Sequence, residues 1–76
     1  MPDTILIIDD EAAIRETLSG ILGDEGFAPL TAGSAEEGLQ LLDEKDVDLV
    51  LLDIWLPGMD GMEGLRTIRQ RFAHLP

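Results

Sequence analysis

Two unbroken aliphatic runs, each closed by aspartate, limit what this chain can fold into more than any other feature. Ile5-Leu6-Ile7-Ile8 leads into Asp9-Asp10-Glu11, and Leu49-Val50-Leu51-Leu52 leads into Asp53. A short aliphatic run without polar alternation is the pattern of a strand covered on both faces, as in parallel sheets flanked by helices. Set side by side and parallel, the two runs would carry Asp9, Asp10 and Asp53 to the same edge of one sheet.

The segments between them fit that arrangement. Residues 4–9 read as a first strand, followed by a helix over about Glu11 to Glu25, with Ile14, Leu18, Ile21 and Leu22 on one apolar face. Asp10 is placed to cap its N-terminus, and Gly26 to take the left-handed position after its last turn, with Phe27 packing back onto that turn. Ala28-Pro29-Leu30-Thr31-Ala32 is a weaker strand, and Pro29, which cannot donate to a ladder, assigns it to an edge. Ser34 and Glu37 have the spacing of a capping box opening a second helix, whose buried stripe is Ala35, Leu39 and Leu42, flanked by Leu41. Asp43-Glu44-Lys45-Asp46 reads as the polar loop that ends it.

A third strand is expected over 48–53. A loop over 54–61 carries the turn signals Pro57-Gly58 and Asp60-Gly61. The third helix starts near Gly61 with Asp60 and Glu63 as cap and N3 residue, and puts Met62, Leu65, Ile68 and Phe72 inward; His74-Leu75-Pro76 reads as loop. Alternation of strand and helix predicts an α/β domain with a parallel sheet and right-handed crossovers. The 76 residues leave room for one small domain.

Charge narrows the partners. The net charge is −11, from 16 acidic and 5 basic residues. All the acids fall within residues 1–65, where only Arg15 and Lys45 oppose them; Arg66, Arg69 and Arg71 follow. Such a balance disfavours direct contact with a nucleic acid backbone and favours cations or a basic partner surface. No Cys is present, so disulfides and thiolate metal sites are excluded. The absence of an N-terminal basic segment and of any long apolar stretch argues against a signal peptide and a membrane span.

Three carboxylates at one sheet edge repel one another. Two unit charges about 4 Å apart cost roughly 4 kcal/mol at an effective dielectric near 20. A divalent cation removes that penalty, and Mg²⁺ takes one or two carboxylates while keeping several waters. Asp10 and Asp53 are placed as direct ligands, Asp9 as a ligand through water, and the main-chain carbonyl near Trp55 as a further donor. An aspartate in such a site can also accept a phosphoryl group. Taken singly, Asp10 is more often just a helix cap and Asp53 a turn former; the joint pattern is what points to chemistry. No G-x-G-x-x-G or G-x-x-x-x-G-K-[ST] follows the first strand, and no nucleophile elbow is present.

The segments Ile5-Leu6-Ile7-Ile8-Asp9-Asp10-Glu11 and Leu49-Val50-Leu51-Leu52-Asp53-Ile54-Trp55-Leu56-Pro57-Gly58-Met59-Asp60-Gly61 together resemble the receiver domain of bacterial two-component response regulators. The Asp-Ile-Trp-Leu stretch is similar to receivers at the front of nitrogen-regulator-type transcription activators. The resemblance implies a truncated flavodoxin-like (βα)3 fold over residues 1–76, with strand order 2-1-3 and without strands four and five. It implies that Asp53 is the phosphoacceptor, that Asp9 and Asp10 hold Mg²⁺ together with Asp53 and the Trp55 carbonyl, and that the phosphoryl donor is a sensor histidine kinase. It further implies a cytoplasmic, non-enzymatic signalling module that controls transcription in a longer protein and assists its own phosphorylation and dephosphorylation.

A full receiver adds a Ser or Thr at the end of strand four and a Lys at the end of strand five. Here the chain ends at Leu75-Pro76, and Lys45, the only lysine, follows the second helix. Strand three is then expected to present a bare apolar edge through which the chain self-associates. The alternative to a phosphoacceptor is a chemically silent interaction or oligomerisation module. A phosphohydrolase with an aspartyl nucleophile would call for D-x-D after the first strand, where this chain has adjacent acids.

Overall fold

The computed structural model describes residues 3–53 and 61–76. The elements alternate as read: β1 (Thr4–Ile8), α1 (Ala12–Asp24), β2 (Ala28–Ala32), α2 (Ala35–Glu44), β3 (Leu49–Leu52) and α3 (Gly61–Arg71). The helix α2 runs on through Asp43 and Glu44, which the sequence assigned to a loop.

The three strands form one parallel sheet in the order β2-β1-β3. The chain leaves β1 to one side, returns, and crosses to the other. Right-handed crossovers in opposite directions place α1 and α2 on opposite faces. Leu6 and Ile8 of β1 therefore enter a core with Ala32, Ala35, Leu39, Leu42, Val47 and Ile68, on the side of α2 and α3. Ile5 and Ile7 alternate to the side of α1 and are buried as well.

The α2 start follows the capping logic with one change. Ser34 Oγ accepts from Glu37 N–H at 3.1 Å, but Glu37 Oε2 reaches back past the cap residue to Gly33 N–H, also at 3.1 Å. The end of α1 is a Schellman turn. Phe27 N–H donates to Leu22 O and Gly26 N–H to Gly23 O, and Gly26 has φ of +91°, a conformation that glycine adopts without strain.

Three sequence expectations about burial fail. No residue of α1 is buried; Ile21 is 54% exposed, and Ile14 is exposed beside an open groove. Met62 is 50% exposed at the start of α3, while Ile68 is buried and Leu65 and Phe72 are partly so. Phe27 remains exposed although its backbone completes the turn. β3 is an edge strand as expected, yet Val50 N–H donates to Pro76 O at 3.3 Å, so the edge is not wholly bare.

Candidate phosphoacceptor and metal site

Parallel strands bring their carboxyl ends to one edge, and β1 and β3 are neighbours in register, with Ile8 opposite Leu52. The next residue on each strand is an aspartate. Asp53 N–H donates to Ile8 O at 3.0 Å, which extends the β1–β3 ladder by one residue, and Asp9 N–H donates to Ala32 O at 3.1 Å on the β2 side. The two acids therefore leave from adjacent, hydrogen-bonded backbone at the point where strand order reverses, the usual ligand crevice of an open α/β sheet.

Asp9, Asp10 and Asp53 each offer a carboxylate oxygen, and these oxygens lie within 4.8 Å of one another. Asp53 is half-buried and Asp10 exposed. The convergence inferred from two sequence runs is thus present in the fold. Trp55 and its carbonyl, Asp60 and the 54–60 segment lie outside the described residues. Lys45 is the C-cap of α2, remote in the fold from the acid edge because α2 runs antiparallel to the strands.

Two local details differ from the sequence reading. Asp10 does not cap α1; Glu11 is the cap residue, without a side-chain cap bond. Asp9 takes the local task instead, its Oδ1 accepting from Glu11 N–H at 2.9 Å, which closes the turn between strand and helix. The Asp10 side chain is thereby left to the cluster. Sequence spacing alone assigns Arg15 no role, yet its Nη1 donates to the Asp9 main-chain carbonyl at 2.8 Å. The available signal was a lone arginine one helical turn above an acidic doublet, in a segment otherwise almost devoid of positive charge.

The donor set suits a hard cation. It consists of carboxylate oxygens alone, without nitrogen or sulfur among the described residues, and one acid faces solvent, leaving space for water ligands. Mg²⁺ and Mn²⁺ fit that chemistry better than softer metals.

Comparison with known proteins identifies relatives of this chain. The family model for the response regulator receiver domain matches residues 5–76. An NtrX-like response regulator of Rickettsia bellii is 46% identical over 74 residues, which cover 95% of this chain and 16% of that protein. The crystal structure of NtrX from Brucella abortus in complex with ADP superposes with a TM-score of 0.94 at 41% identity, covering 100% of this chain and 18% of the other. The response regulator TrrA of Thermotoga maritima, solved in complex with Mg²⁺ and BeF, superposes with a TM-score of 0.91 at 40% identity, covering 96% of this chain and 64% of the other. The chain thus spans less than a fifth of the Rickettsia and Brucella proteins.

Proposed function

Because the chain belongs to the response regulator receiver domain family, we propose that it is the phosphoacceptor part of a two-component regulator, with Asp53 taking a phosphoryl group from a phosphohistidine of a sensor kinase. The observation that carries the proposal is the approach of the Asp9, Asp10 and Asp53 carboxylates to within 4.8 Å at the carboxyl ends of β1 and β3. A surface of solvated acids has no reason to gather three of them at a strand-order reversal.

In the reaction, an Asp53 carboxylate oxygen forms the new O–P bond as the P–N bond to the donor imidazole breaks. The electron pair of that bond stays on the imidazole nitrogen. The backbone bond from Asp53 N–H to Ile8 O holds the nucleophile on the sheet, and the turn closed by Asp9 Oδ1 sets the acid pair beside it. Asp10 and Asp53 would hold Mg²⁺ directly and Asp9 through water, with the Trp55 carbonyl as a further ligand. Bound Mg²⁺ supplies positive charge that offsets both the carboxylate repulsion and the charge of the transferring group. That the Thermotoga relative binds Mg²⁺ with BeF, a phosphoryl mimic, supports this reading.

Residues 1–76 correspond in this view to the first three βα units of a receiver. The rest of the regulator, a cytoplasmic protein controlling transcription, would carry the output. The test is incubation with acetyl phosphate and Mg²⁺, followed by intact mass, on the parent and on Asp53→Asn. A phosphoryl adduct confined to the parent supports the proposal, and an adduct that persists in Asp53→Asn rejects Asp53 as the acceptor.

A second reading, a self-associating module without phosphotransfer, is favoured by one feature. An open groove between α1 and β3 is lined by Ile7, Ile14, Leu18, Leu51 and Leu52, beside the β3 edge. The net charge of −11 opposes close approach of two copies, so the phosphoacceptor reading stands first.

A further inference from the structure

We propose that Arg15 is a positioning residue for the acid cluster, an assignment that rests on the phosphoacceptor reading of that site. Its Nη1 donates to the Asp9 carbonyl at 2.8 Å, in a part-buried bond that runs from the second turn of α1 back to the end of β1. That carbonyl belongs to the peptide unit joining Asp9 to Asp10, so the guanidinium fixes the plane from which the Asp10 side chain departs.

Two other restraints act on this turn. Asp9 N–H is held by Ala32 O, and Asp9 Oδ1 by Glu11 N–H. The second closes a ring through the Asp9–Asp10 peptide, and Arg15 holds the carbonyl of that peptide from outside the ring, while the Glu11 side chain makes no cap bond. Asp10 is exposed, so packing does not orient it. Arg15 itself is held in a confined place. It lies against the turn between β2 and α2, where a Cβ on Gly33 would stand 3.4 Å from Arg15 Nη1 and 3.7 Å from Glu37 Oε2. Arg15 is therefore bonded to the turn after β1 and lies against the turn after β2.

Charge and geometry make opposite predictions for its removal. A guanidinium near the acids repels a divalent cation, so on Coulomb grounds alone its loss tightens binding. If Arg15 aims the acid pair, its loss loosens binding, because residues that orient metal ligands typically govern affinity by 10- to 100-fold.

The experiment measures Mn²⁺ binding by electron paramagnetic resonance on the full chain, comparing the parent, Arg15→Ala, Arg15→Gln, Arg15→Lys and Asp53→Asn, each checked for folding by circular dichroism. We expect Arg15→Ala to bind Mn²⁺ about tenfold more weakly. Arg15→Lys, which keeps a donor on a long stem, should recover most of the loss. Arg15→Gln is too short to reach and stands in should Arg15→Ala fail to fold. Phosphorylation by acetyl phosphate should recover in the Arg15 variants at saturating Mn²⁺, a pattern that mere loss of stability does not produce. Affinity within twofold of the parent, or tighter, in the folded Arg15→Ala or Arg15→Gln variant overturns the positioning role alone. A parent that shows no Mn²⁺ binding sensitive to Asp53→Asn overturns the phosphoacceptor reading, and the role of Arg15 with it.

Discussion

Gly38 of α2 lies against Ile8 of β1 so closely that a Cβ at Gly38 would stand 2.4 Å from Ile8 Cδ1 and 2.9 Å from its Cγ1. Ile8 is 1% exposed and cannot swing away into solvent. It is also the residue immediately before Asp9, so this contact sets the depth at which the acid edge leaves the core. Gly38→Ala gains roughly 0.5–1 kcal/mol of helix propensity but overpacks the core, at a cost of about 1–3 kcal/mol. The expected outcome is net destabilisation, seen as a lower urea midpoint at unchanged slope.

Gly20 presents the opposite case. It sits inside α1 with nothing within 4 Å of the place a Cβ would occupy. Gly20→Ala should stabilise the chain by roughly 0.5–1 kcal/mol through the unfolded state and helix propensity. An unchanged or lower urea midpoint would contradict this account.

Ser34 is the cap of α2, and its Oγ carries the bond from Glu37 N–H. Ser34→Ala should cost about 1 kcal/mol. Glu37→Ala removes the separate bond to Gly33 N–H. Since the two bonds are reciprocal across one turn, the double variant should lose less than the sum of the singles in a thermal double-mutant cycle.

Mg²⁺ or Mn²⁺ should raise the melting temperature through the acid cluster. At a free concentration tenfold above Kd the gain is about 1.4 kcal/mol. Asp53→Asn and Asp10→Asn should abolish most of it. A melting curve unmoved by millimolar metal in the folded parent would remove the metal site.

If the groove beside β3 draws copies together, sedimentation at rising concentration should show a mass increase that grows with salt, as screening weakens repulsion between chains of net charge −11. Leu51→Lys, on an exposed position of β3, should suppress it. A monomer at all concentrations and salts rejects the self-associating reading.

Much of this fold is legible in the order of residues because each element carries its own local signal. The aliphatic runs at 5–8 and 49–52, the Ser34 and Glu37 pair, and Gly26 with its positive φ each act within a few residues of themselves. What periodicity does not convey is whether an apolar face is covered. Ile14 and Ile21 lie on the apolar stripe of α1 and yet are exposed, since spacing fixes which side chains share a face and not what packs on it. Leu51 fails in the same way: a continuous run implies two covered faces, but one face of β3 borders the groove. The acid cluster is legible because parallel neighbours must end together. The work of Asp9 in the turn and of Arg15 on its carbonyl was hidden, because both bonds involve main-chain atoms that every residue possesses. The expectations for Trp55 and Asp60 fall outside the described residues.

The two sides of the sheet are unequally fastened. Between the sheet and the layer of α2 and α3, Leu6, Ile8, Leu39, Leu42 and Ile68 are all buried, with Arg71 of α3 paired to Asp43 of α2 at the rim. On the far side α1 buries no residue of its own. Partial opening would therefore begin by lifting α1 away while the opposite layer stays shut. Because Arg15 rides on α1 and grips Asp9, that excursion would loosen the acid edge first, so deuterium uptake in residues 12–24 and loss of cation affinity should rise together as denaturant is added.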